Sequence, residues 1–129
     1  MARGILLDSS VVIEHLRGRL DIAEKVIPSE TLFLPLTALG ELYKGVLKSH
    51  DPEKNRAKLE KFLLTVAVLH PDTATAVYYA RIAVDLDAQG APIPENDIWI
   101  AAIALECSMP LATRDAHFAR VSGLSLLQW

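Results

Sequence analysis

Four carboxylates stand where an acid is hard to accommodate. Asp8 ends the aliphatic run Ile5-Leu6-Leu7, and Asp115 follows Leu111-Ala112-Thr113. Asp97 opens the run Ile98 to Leu105, the longest unbroken apolar stretch in the chain. Glu41 lies early in an amphipathic stretch that follows Thr31-Leu32-Phe33-Leu34. Acids beside apolar segments lose hydration, and acids gathered together repel one another. Hard divalent cations relieve both problems, because Mg2+ and Mn2+ prefer carboxylate and water oxygens. No Cys/His set with zinc spacing is present. Carboxylate-held cations suit phosphodiester hydrolysis, where one ion activates water and a pair stabilises the attacking and leaving oxygens.

That chemistry requires the four acids to meet, so the elements that carry them decide the matter. Ile5 to Leu7 has no apolar/polar alternation and reads as a strand buried on both faces. A helix is predicted just past Asp8, with Ser9 or Ser10 as its N-cap. Gly18 ends it, and Leu20 to Ile27 reads as a second short helix. Thr31 to Leu34 is a second strand closed by Pro35, and Thr37 is expected to cap a helix reaching about Lys48. Its apolar stripe would be Ala38, Leu39, Leu42, Val46 and Leu47. Glu41 falls in or just beyond its first turn, one residue too late for a capping box with Thr37.

Pro52 to about Thr65 is a charged amphipathic helix with Leu59, Phe62, Leu63 and Val66 inside. Val66 to Leu69 is a third strand. Asp72 or Thr73 caps a long helix to Gln89, which Gly90 terminates. The helix after Pro94 is apolar almost all round and should be buried on most sides. Leu111 to Thr113 is a fourth strand and Leu124 to Leu127 a last one. Alternating strands and helices imply an α/β fold with a central, mostly parallel sheet of four to five strands. Right-handed crossovers then bring the carboxyl ends of the strands to one edge, and with them Asp8, Glu41, Asp97 and Asp115.

Composition limits the classes of function. At 129 residues, 51% hydrophobic and 22% charged, the chain is expected to be one globular domain, residues 1–129. The longest apolar run is far short of a membrane span, and Met1 to Gly4 leads into too few aliphatics for a signal-peptide core. A single cysteine, Cys107, excludes an internal disulfide. A cytoplasmic protein with no membrane association is expected. The net charge of −3 argues against a broad nucleic-acid coat, yet neutralising four acids would leave +1.

Each acid also has a plainer reading. Asp97 could simply interact with a helix dipole, Glu41 could pair with Lys44, and Asp115 could be a turn residue. Asp8 could be the nucleophile of a phosphotransferase or phosphatase, although the second acid two residues on, typical of one such class, is replaced by Ser10. The convergence of all four on one edge favours the shared site.

The pieces Leu6-Leu7-Asp8-Ser9-Ser10 with Val11 to Glu14, Gly40-Glu41-Leu42 with Gly45, Asn96-Asp97 with Ile100 to Ala102, and Leu111 to Asp115 with His117-Phe118 together resemble the PIN-domain family of the VapC type. The resemblance covers nearly the whole chain. It implies a three-layer α/β/α fold and a Mg2+- or Mn2+-dependent endoribonuclease, the toxin of a toxin–antitoxin pair. It also implies a homodimer, silenced by a small antitoxin whose tail reaches the acidic site. The family's acidic quartet carries over to Asp8, Glu41, Asp97 and Asp115, and its hydroxyl to Thr113. A catalytically silent PIN-like binding module is the competing expectation.

Other residues admit both a functional and a plainer role. Arg114 could hold a phosphate bidentately or pair with Asp115. Lys44 and Lys48 could line an RNA groove or form a solvated face, and Arg17 and Arg19 could contact RNA or an acidic partner. His117 is expected to pack or hydrogen-bond and not to act as a base. Tyr78 and Tyr79 read as helix packing and Cys107 as a core residue. Trp99 and Trp129 are open between core and interface.

Overall fold

A computed structural model describes residues 3–129; Met1 and Ala2, with which the expectation about the N-terminus begins, lie outside the described residues. Five parallel strands form one sheet in the order β3-β2-β1-β4-β5. They are β1 (Arg3–Leu7), β2 (Glu30–Pro35), β3 (Ala67–Leu69), β4 (Leu111–Thr113) and β5 (Leu126–Gln128). The helices are α1 (Ser9–Leu16), α2 (Leu36–Leu47), α3 (Pro52–Leu63), α4 (Thr73–Gln89) and α5 (Glu95–Glu106), and they cover both faces of the sheet.

The central strand is β1, as its unbroken apolar character requires. Ile5, Leu6 and Leu7 are all at most 1% exposed. Ile5 pairs with Leu32 of β2 on one side, while Leu6 and Leu7 pair with Leu111 and Ala112 of β4 on the other. Successive strands β1, β2 and β3 step one way across the sheet, and β4 returns to the opposite side of β1. This reversal opens a crevice beyond the carboxyl ends of β1 and β4, the place where such sheets bind ligands.

Helix α5 anchors that crevice from below. Ile98 and every residue from Ile100 to Ala104 are buried, as all-round apolarity predicts. Its alanines permit close packing, and its strongest packing partner is α4. In α4 the Asp72 side chain accepts from the Thr75 N–H while the Thr75 hydroxyl accepts from the Asp72 N–H, and Gly90 ends the helix at φ 63°. In α3 Asp51 accepts from the Lys54 N–H, with Pro52 in the first turn.

Several boundaries differ from the sequence reading. Leu20 to Ile27 is not an α-helix; only a single 3₁₀ turn, Ile22–Lys25, forms there. Asp21 caps it late, and Pro28 biases the preceding residue toward extended backbone. Neither Ser9 nor Ser10 caps α1, because Asp8 holds the N-cap position. Thr37 does not cap α2 either: extended Pro35 takes that place and the helix begins at Leu36. Leu47 leaves the expected stripe and is 71% exposed. The last strand starts beyond Leu124, because Gly123 turns the chain at φ 79°. Cys107 is exposed at the end of α5 and is not a core residue.

Ile100 is fully buried on the helix that carries Asp97. Replacing it with alanine should lower unfolding stability by about 2–5 kcal/mol through lost burial and a residual cavity. Urea denaturation should show a lower midpoint with an unchanged slope. A loss below about 1 kcal/mol would mean that α5 is not packed as described.

Candidate active site

Asp8 sits one residue beyond β1, where the strand ladder continues: its N–H donates to the Ala112 carbonyl at 2.9 Å. The side chain is 1% exposed. Two hydroxyls converge on one of its oxygens, Ser10 Oγ at 2.7 Å and Thr113 Oγ1 at 2.9 Å, both donating to Oδ2. Each hydroxyl in turn accepts a backbone N–H from the segment after β4. Ser10 Oγ accepts from Arg114 and Thr113 Oγ1 from Asp115, both at 3.0 Å. Asp8 is thereby tied to the loop that carries Asp115.

Asp97 lies in the first turn of α5 and is 7% exposed. Its Oδ2 is 2.7 Å from His117 Nε2. Glu41 comes from the second turn of α2, and its Oε1 is buried with no hydrogen-bond partner. Beside it Asn96 Nδ2 donates to the Thr37 carbonyl at 3.3 Å and holds the starts of α5 and α2 together. Thr37, one turn before Glu41, also has a buried hydroxyl without a partner.

The electrostatics show that the acids share one environment. Burial lifts the Asp8 carboxyl above its ordinary value; the Ser10 and Thr113 hydroxyls pull it back, and the charges of Asp115 and Asp97 push it up. Glu41 is raised chiefly by burial, then by Asp97, with Asn96 opposing and Asp8 and Asp115 adding. Asp97 is raised by burial and by Asp115, with the His117 hydrogen bond and charge opposing. A helix N-terminus favours the ionised form of an acid in its first turn, as at Asp97. Desolvation prevails instead, and Glu41 lies beyond the first turn where the dipole acts.

The donor set is entirely carboxylate oxygen, and one buried oxygen, Glu41 Oε1, lacks any partner. Both features fit a hard divalent cation. Among the described residues no three acid, histidine or cysteine side chains are already gathered closely enough to hold one ion.

The plainer ion-pair readings at Glu41 and Arg114 do not hold, whereas the packing readings of the aromatic residues do. Among the described residues Glu41 makes no ion pair with Lys44, nor Asp115 with Arg114; Lys44 and Arg114 are exposed. Trp99 stacks on Tyr79 at a centroid distance of 4.3 Å, so both serve packing between α5 and α4. Trp129 packs against the core. Ser10, by sequence a candidate cap, instead bridges Asp8 and the Arg114 N–H. A hydroxyl two residues after the strand-end acid was the available signal.

The PIN domain description matches residues 5–124. The chain belongs to the PIN-domain family, in its VapC group. It is 32% identical to Ribonuclease VapC1 of Haemophilus influenzae strain R2866 over 96% of both chains. It is 36% identical to the tRNA(fMet)-specific endonuclease VapC of Shigella flexneri over 70% of both. Its fold superposes with a TM-score of 0.92 on a chain of VapBC2 from Rickettsia felis bound to a DNA fragment from the promoter, at 26% identity and 98% coverage of both chains. The PIN-domain fold thus holds from β1 through β5, and the resemblance drawn from the four sequence pieces stands.

A raised carboxyl means that the folded state keeps its proton at pH values where the unfolded chain has released it. Stability from this source is present at low pH and falls as pH rises above the ordinary carboxylate value of about 4. Asp8→Asn removes one such group. In EDTA at pH 7 its melting temperature should exceed that of the unaltered protein, at roughly 4 °C per kcal/mol of repulsion and desolvation relieved. The gap should close below pH ~4. Thermal melts check this, and an equal or lower value at pH 7 would contradict the shared acidic crevice.

Proposed function

We propose that this PIN-domain chain is a divalent-cation-dependent endoribonuclease and the toxin of a toxin–antitoxin pair. The observation that carries the reading is the set of four acids at the carboxyl edge of a parallel sheet, with the buried Glu41 Oε1 left without a partner. The VapC relatives support the nuclease class, and the VapBC neighbours support an antitoxin partner.

Asp8, Glu41, Asp97 and Asp115 would hold the cation, either Mg2+ or Mn2+. The ion when bound supplies Lewis-acid polarisation of a phosphoryl oxygen and a more acidic water. The chain's own residues supply the arrangement. Thr113 and Ser10 fix one oxygen of Asp8 and leave the other available. Arg114, exposed beside the site, would take an RNA phosphate oxygen, and Lys44, exposed one turn beyond Glu41, would contact the backbone of the same strand.

A cleft of about 240 Å³ reaches one of the acids, Glu41. Ile13, Leu16, Leu42 and Val46 line it together with Glu41. Arg17 and Lys58 also border it, so an antitoxin segment with apolar side chains would fill the cleft, with one cation directed to Glu41. A homodimer acting in the cytoplasm completes the reading; no helix of the described residues is long and apolar enough to cross a membrane.

Purified protein freed of any partner should cut RNA into discrete products with Mn2+ or Mg2+. Transfer RNA is the first substrate to assay, given the named target of the Shigella relative. EDTA should abolish cleavage. Asp97→Asn should lower it by on the order of 100-fold or more, since even partners of metal ligands cost 10–100-fold. Cleavage that persists in EDTA would sink the reading, whereas absence of both cleavage and cation binding would favour a catalytically silent binding module.

A further inference from the structure

His117 lies in the 3₁₀ turn Ala116–Arg120, two residues past Asp115. Its ring rests on Phe118, with centroids 4.9 Å apart at 38°, and Phe118 is fully buried. Phe118 thereby seats the turn in the core, while His117 Nε2 reaches across to Asp97 Oδ2 at 2.7 Å. That contact joins two elements, the turn after β4 and the first turn of α5. Each bears one acid of the crevice.

The acids differ in how they are held. Asp8 is fixed by two hydroxyls, Asp97 by one imidazole, and Glu41 Oε1 by nothing. A carboxylate among like charges turns away from them unless a partner holds it. We propose that His117 is a positioning residue, which donates Nε2–H to Asp97 Oδ2, fixes the rotamer of Asp97 and leaves its other oxygen for the cation. This rests on the cation-site reading above. A hydrogen-bond partner of this kind orients a ligand and typically changes cation affinity by 10–100-fold when removed.

Two substitutions separate the hydrogen bond from the ring. H117F keeps an aromatic ring on Phe118 and loses the donor. H117Q loses the ring and keeps an amide N–H at similar reach. Isothermal titration of the full-length chain with Mn2+ reads affinity without any RNA, and Asp97→Asn serves as the reference for a missing ligand. H117F should bind Mn2+ about 10–100-fold more weakly, and H117Q should recover most of the loss. If H117F does not fold, H117A replaces it in the same titration. Unchanged affinity in H117F, or an equal loss in H117Q, overturns the positioning role alone. Failure of the unaltered protein to bind Mn2+ overturns the cation-site reading and this role with it.

Discussion

Desolvation of like charges is the constraint on which this molecule turns. Burying Asp8 at the end of a central strand and Asp97 at the start of a buried helix places two acids where water cannot screen them. Glu41 and Asp115 add charge to the same edge. The surrounding polar groups answer that constraint directly. Ser10 and Thr113 donate to Asp8, His117 pairs with Asp97, and Asn96 holds the two helix starts in register. A site so arranged is stable in the empty state only by retaining protons or spreading its acids. It gains most from a ligand that brings positive charge.

The apolar framework exists to hold that edge open. The pairing of Leu6 and Leu7 with Leu111 and Ala112 puts the ends of β1 and β4 side by side. The buried face of α5, from Ile98 through Ala104, fixes the start of the helix under them. Because both elements are buried, their carboxyl-bearing ends are positioned by packing and do not depend on a flexible loop. The relatives that share this fold over nearly their whole length share these two elements with it.

Much of this was legible in the residues. The unbroken run before Asp8 fixed the central strand, and the all-round apolarity of α5 fixed its burial, since both follow from hydrophobic pattern alone. What the pattern could not carry was capping and side-chain partnership. Thr37 has the residue type of a cap, but the extended backbone at Pro35 starts the helix earlier. The 3₁₀ turn at Ile22–Lys25 replaces a helix because Asp21 and the segment before Pro28 close it from both ends. The link from Ser10 to the Arg114 N–H, and from His117 to Asp97, spans segments distant in sequence, and no local pattern encodes such a meeting.

The bond between Thr113 and Asp8 joins residues 105 positions apart. A contact of that span closes late, because the loop entropy must be overcome before the pairing gains anything. Chains leave the ribosome from the N-terminus, so β1 with Asp8 is exposed long before β4 has been made. That order of assembly delays completion of the acidic edge until β4 has paired with β1. The nascent chain carries three of its acids past the ribosome as an incomplete set, and the fourth arrives only when synthesis is nearly over.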